Sequence, residues 1–285
     1  DQIRKKITPK TEAVFSSPVL ANPYDFDQII SICEEHNIKL ISDNCDSLGS
    51  KWKGKYLTDY SVAASCSFYP AHHITTIEGG MVSSNIKEIV DIARSFAWWG
   101  RDCYCVGSQN LLTCGTCGKR FDKWLLGYDK VVDHKYVFGQ IGYNLKPIDM
   151  LGSIGSVQLE KFEKIHYLRR YNKTRLHQIF SKIPGVRVGE RKNAETSWFG
   201  VPIICDGDKT ELVDFLESNK IQTRNYFAGN LLIHPAYRHL ESAFNYPNAM
   251  KVLDNVFFVG CSPVITDSML EYIEEVVNSY IKKTL

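Results

Sequence analysis

The chain has almost no excess of either charge: 34 Lys and Arg stand against 32 Asp and Glu, a net +2 over 285 residues. No basic stripe interleaved with aromatics emerges from that balance, so the electrostatic footprint of a nucleic-acid binder is missing. Long apolar runs are missing too, and none approaches the roughly 18 residues of a helical membrane span. The expectation is a cytoplasmic protein that partners neither nucleic acid nor membrane. No internal repeat or low-complexity segment is apparent. Cysteine is plentiful, nine in all, but not evenly spread as a disulfide scaffold would be. Cys103, Cys105, Cys114 and Cys117 fall within fifteen residues, a cluster that favours metal or cluster ligation in a reducing compartment.

A chain of this length has room for two cores. Residues 13–20 read as a strand that ends before Asn22-Pro23. Phe26, Ile29, Ile30 and Cys33 recur at helical spacing, which predicts an amphipathic helix over 25–37 capped by Asp25. Leu40 and Ile41 run straight into Asp43, so 38–43 reads as a buried strand ending in an acid and completing a β-α-β unit. The run VAASCSFY reads as a second strand, ending in a Pro-containing turn that carries His72 and His73. Another turn and strand follow at 79–84, then a helix over 86–99 ending at Gly100. Residues 101–147 show no regular pattern, and a loop of that length holding four cysteines reads as functional. A helix is expected from Asp149, with Gly152, Ser153, Gly155 and Ser156 suggesting close backbone packing. Beyond Gly185 short strands at 198–205 and 221–227 mix with helices at 210–219 and 268–283, the last with Ser268 and Glu271 as a capping box. The whole reads as α/β, with residues 1–147 in one domain and a linking helix plus a smaller α+β domain over 148–285.

Ligands of open α/β sheets bind at the carboxyl ends of the strands. An Asp at one strand end and a basic side chain at the next, beside small hydroxyl residues, suggests a site for a protonated heteroaromatic cofactor. Each residue also has a plainer reading: Asp43 as a cap or structural ion pair, Asp46 as an exposed turn residue, Ser67 and Asn144 as local turn residues. Cys33, Cys66, Cys205 and Cys261 sit in apolar stretches and read as core. Arg224 is either a charged ligand contact or part of an ion pair.

The stretch Ser67-Phe68-Tyr69-Pro70-Ala71-His72, continued by His73-Ile74-Thr75 and Glu78-Gly79-Gly80, resembles the fold-type I PLP enzymes acting on nucleotide-linked sugars, the DegT/DnrJ/EryC1/StrS family. The resemblance covers essentially the whole chain. It implies the C-terminal part of that family's large mixed-sheet domain followed by its small domain. It also implies that Asp43 pairs with the pyridinium nitrogen, Asp46 lies near the ring hydroxyl, Ser67 contacts the phosphate, and Asn144 reaches the phosphate from a neighbouring subunit. The position of the family's cofactor-holding lysine is occupied by His72. That departure resembles a subgroup, the 3-dehydrases of nucleotide-linked 4-keto-6-deoxyhexoses that use pyridoxamine 5′-phosphate (PMP) and an iron–sulfur cluster.

The resemblance implies that His72 is the base that removes the C4′ proton of PMP, with His73 structural. It further implies a 2Fe–2S cluster on Cys45, Cys103, Cys105 and Cys117. The 57 residues between Cys45 and Cys103 agree with the subgroup's pattern, while Cys114 inside the following run departs from it. The implied partners are a sugar nucleotide, CDP-linked by expectation, an NADH-dependent flavin/iron–sulfur reductase and a second copy in a homodimer. The implied setting is 3,6-dideoxyhexose synthesis for lipopolysaccharide O-antigen. Other readings stay open: a cluster-free PMP dehydratase, or a non-catalytic remnant with zinc on Cys103, Cys105, Cys114 and Cys117. Residues 1–42 offer no Gly/Ser phosphate loop, so the sequence reads as a segment of a longer protein.

Overall fold

The computed structural model describes residues 2–103 and 125–284. After a short helix α1 (Gln2–Lys6), strand β1 (Ala13–Ser16) stops sooner than its apolar run suggests. Pro18, which has no N–H for a ladder, opens a tight turn in which Leu20 and Ala21 take φ of 54° and 69° and are fully buried. Helix α2 (Phe26–Glu35) starts where the sequence places it, because the Asp25 carboxylate accepts from the Gln28 amide at 3.1 Å and satisfies one of the donors at the helix start. Its apolar stripe packs Phe26 and Cys33 against Ile38, Leu40, Trp52 and Leu57.

Strand β2 (Lys39–Asp43) runs parallel to β1, with Val14 opposite Leu40. A small hairpin of β3 (Lys51–Trp52) and β4 (Lys55–Tyr56) intervenes. Then β5 (Ala63–Ser67) joins β2 in parallel, placing Asp43 opposite Ser65. Strand β6 (Gly80–Ser83) returns antiparallel, so the sheet order is β1-β2-β5-β6. Helix α3 (Lys87–Ala97) follows.

The described part of the expected loop 101–147 is not structureless. Trp98 pairs with Asn144 and Arg101 with Phe138, forming an antiparallel ribbon whose two limbs meet at glycines. Helices α4 (Asp149–Glu160) and α5 (Phe162–Phe180) are separated by a break at Lys161. A Cβ on Gly155 would lie 2.9 Å from the Thr76 methyl, whereas one on Gly152 would meet nothing within 4 Å. The close packing expected of both therefore holds for Gly155 alone.

The remaining elements are β7 (Val186–Val188), β8 (Ala194–Glu195), β9 (Gly200–Cys205), α6 (Thr210–Ser218), β10 (Thr223–Asn225), α7 (Pro247–Asn255), β11 (Val256–Gly260) and α8 (Asp267–Thr284). They build an antiparallel sheet of order β10-β11-β9-β7 over a second core that includes Leu176, Phe180, Val201, Ile203, Phe257 and Leu270. Helix α8 is capped by Thr266, whose hydroxyl accepts from the Met269 amide at 3.3 Å, and not by Ser268. The two cores interlock. Strand β8 pairs with β3, and Ala194 packs against the first core. The Ser197 amide donates to the Ser50 hydroxyl at 2.9 Å.

Candidate active site

Parallel pairing of β2 and β5 brings their carboxyl ends to one edge of the sheet. Asp43 closes β2, and its Oδ1 accepts from the Ser65 hydroxyl at 2.9 Å and from the Cys45 amide at 3.0 Å. Burial pushes this carboxyl up, but hydrogen bonds from Cys45 and Ser65 and the nearby His72 outweigh that and hold it below the usual carboxylate range. A carboxylate kept ionised at a strand end fits a cofactor whose ring nitrogen must stay protonated.

Beyond β5 the chain folds into a tight turn. The Ser67 hydroxyl accepts from the Tyr69 amide at 3.2 Å, the His72 amide donates to the Tyr69 carbonyl at 3.0 Å, and Thr76 N–H reaches back to Phe68 at 2.9 Å. The turn delivers the His72 imidazole to Asp46: Nδ1 lies 3.3 Å from Oδ1, with both side chains about 15% exposed (16% and 14%). The pair lies at contact distance without forming a hydrogen bond at Nδ1. The ring leans on Phe199, 5.5 Å between centroids, with Tyr69 edge-on at 6.3 Å.

The neighbouring His73 points inward. It is 4% exposed, and its Nε2 donates to the Ser197 carbonyl at 2.5 Å. Burial and the Arg169 guanidinium drive its pKa down to about 3, so it stays neutral and bound.

A cleft of about 880 Å³ opens beside His72, between the turn, α5 and the second sheet, and Arg224, Phe227 and Arg169 line it. Tyr226 comes from the same loop as Phe227. Burial, with the field of the Asp46 carboxylate, raises its pKa. Sequence reasoning missed Tyr226, Phe199 and Arg169, because nothing in their local patterns separates them from core or surface residues.

The expected cluster ligands divide. Cys45 sits at the end of β2, its sulfur 3.7 Å from the Ser65 hydroxyl, and burial together with Asp43 pushes its thiol up to about 12. Cys103 is buried. Cys105 and Cys117, with Cys114, lie outside the described residues. Among the described residues no three His, Cys, Asp or Glu gather as a metal site. Asn144 stands apart from the strand-end group. It belongs to the ribbon, and its Oδ1 accepts from Lys146 Nζ at 2.7 Å.

The chain is 38% identical to a dTDP-4-dehydro-2,6-dideoxy-D-glucose 3-dehydratase of Saccharopolyspora spinosa over its whole length, covering 62% of that protein. It is 35% identical to the lipopolysaccharide biosynthesis protein RfbH of Salmonella typhimurium, with 95% of this chain and 63% of the relative aligned. The chain thus spans somewhat less than two thirds of each of these relatives. An E. coli GDP-4-keto-6-deoxy-D-mannose-3-dehydratase with bound hydrated PLP superposes with a TM-score of 0.78 at 26% identity, covering 96% of this chain and 69% of that one. The architecture is accordingly that of the PLP-dependent aminotransferase fold. Since the family's sequence profile also matches residues 1–278, the chain belongs to the DegT/DnrJ/EryC1/StrS aminotransferase family.

Proposed function

We propose that this protein is a PMP-dependent 3-dehydrase of a nucleotide-linked 4-keto-6-deoxyhexose, CDP-linked, acting with a 2Fe–2S cluster in 3,6-dideoxyhexose synthesis for lipopolysaccharide. The observation that carries it is an imidazole where the family resemblance puts a lysine, held 3.3 Å from Asp46 beside the ionised Asp43. When bound, PMP supplies the amine that engages the sugar's 4-keto group and a ring that draws electrons from it. Asp43 would keep the ring nitrogen protonated, Asp46 would lie by the ring hydroxyl, and Ser67 and a neighbouring subunit's Asn144 would hold the phosphate. His72 accepts a proton at its imidazole, and Asp46 stabilises the imidazolium that results. The same imidazolium can return the proton to the departing C3 hydroxyl. Arg224, lining the cleft, meets the sugar nucleotide's phosphates.

Cys45, Cys103, Cys105 and Cys117 would hold the cluster, which would supply electrons singly from an NADH-dependent flavin/iron–sulfur reductase. Exposed apolar side chains at Ile141, Leu145, Ile148, Met150 and Leu159 supply a face for a second copy in a homodimer. The two cores correspond to two domains dividing at 147/148. The relatives named for 3-dehydration and for lipopolysaccharide biosynthesis support the substrate class and the setting.

The test is the nitrogen at position 72. His72→Asn is expected to keep PMP and lower turnover by about 10²- to 10⁴-fold. His72→Lys, loaded with PLP and reduced with borohydride, is expected to yield a pyridoxyl-lysine at that residue in peptide mass mapping. Full turnover in His72→Asn would overturn the reading.

A further inference from the structure

Arg169, on α5, is 5% exposed, and no carboxylate pairs with it among the described residues. Buried guanidinium groups are ordinarily paired with acids, because an uncompensated charge in the interior is costly. Here the compensation comes from main-chain carbonyls. Nη1 donates to Trp198 at 3.0 Å and to Phe199 at 3.4 Å, and Nη2 donates to His72 at 3.3 Å. The Cys261 thiol joins the same knot, donating to the Trp198 carbonyl at 3.2 Å.

Two chain segments meet at this one side chain. One is the turn after β5, at the carbonyl of His72 itself. The other is the run into β9, whose Phe199 supplies the ring on which the imidazole leans. A planar fork holds several donors in a fixed geometry across two segments, whereas an ammonium's three donors rotate on a flexible stem. With the His72 carbonyl held, the peptide plane leaving that residue is set, and with it the direction from which the imidazole meets Asp46.

We propose that Arg169 is a positioning residue, a guanidinium clamp that holds His72 and Phe199 in register so that the imidazole keeps its place against Asp46. The proposal rests on the reading of His72 as the acid–base group. It assigns to the small-domain side of the cleft the task of aiming a side chain on the sheet side.

The experiment follows the His72 ring itself. Histidine-ring ¹⁵N–¹H spectra of the 285-residue chain locate its signal by its loss in His72→Asn. In Arg169→Met and Arg169→Lys that signal is expected to shift and broaden between tautomers. In Arg170→Met, which alters an exposed residue paired with Glu195, it is expected to stay in place. In the PMP-loaded enzyme, Arg169→Lys is expected to lower kcat by about ten- to a hundredfold with KM changed less than about threefold. A His72 signal unmoved in Arg169→Lys, whatever the melting temperature does, would show Arg169 to be a structural staple only and overturn the proposal. Should Arg169→Met fail to fold, the lysine variant alone decides. Full turnover in His72→Asn would instead sink the functional reading and leave the ring-signal result standing.

Discussion

His72 and His73 are neighbours in the chain and meet opposite surroundings. One imidazole faces Asp46 at the cleft, and the other is driven into the interior against the Ser197 carbonyl. The inward one carries a pH prediction. In the folded protein His73 resists protonation down to about 3, against an ordinary value of 6.5. Above about 6.5 both states hold it neutral, so its contribution to stability is fully present there. Below that the unfolded chain takes up a proton that the folded chain refuses, and stability falls until the folded value is reached. Each pH unit in that window removes up to about 1.4 kcal/mol. Melting curves between pH 7 and 4 are expected to show a shallower acid loss for His73→Gln, whose amide can still donate to a carbonyl. An unchanged slope would assign the acid sensitivity to other groups.

At the level of elements, the ribbon after α3 depends on two glycines. Gly100, with φ of +79°, could not carry a Cβ without bringing it to 1.9 Å from the Gln140 carbonyl oxygen, and a Cβ on Gly142 would lie 2.1 Å from the Gly100 nitrogen. Both obstacles are backbone, which cannot step aside as a flexible side chain can. Gly142→Ala is therefore expected to cost about 1–3 kcal/mol. It is also expected to speed hydrogen exchange at the Trp99 and Tyr143 amides, which bond across the ribbon to Tyr143 and Phe96. Gly152→Ala is the contrast. It sits within α4 with open space around it, so the gain in helix propensity is expected to leave stability equal or raised by about 0.5–1 kcal/mol. Thermal melts of the two variants, moving in opposite directions, check both statements.

For the whole molecule, the proposed cluster ties the end of β2 to the segment that follows α3. Cys45 and Cys103 have 57 residues between them in sequence. Ligation of Cys45 would hold the iron beside Asp43 and so beside the cofactor, the short separation that single-electron transfer requires. Cys45→Ala is expected to abolish stable iron incorporation, and Cys114→Ala to leave iron content and the visible spectrum nearly intact. Iron retained in Cys45→Ala together with metal lost in Cys114→Ala would point instead to a zinc site on the later cysteines. No iron in the unaltered protein purified without oxygen would leave a cluster-free dehydratase.

Features decided by near neighbours were legible in the sequence. The stripe of Phe26, Ile29, Ile30 and Cys33 with Asp25 before it specified α2 and its cap, since periodicity and capping act over one or two turns. The strand ending at Asp43 and the turn carrying His72 were legible for the same reason. Where two local cues competed, as between Thr266 and Ser268 for the cap of α8, only the helix's actual start could choose. The pairing of β8 with β3 and the contact of Asp46 with His72 were decided by tertiary structure alone. Arg169 is the clearest case. On sequence it is one of two adjacent arginines in a polar helix, yet its guanidinium reaches a carbonyl 97 residues away. Its role comes from the packing of α5 against the second sheet beside the turn that follows β5, because contacts at that separation exist only once both cores have formed.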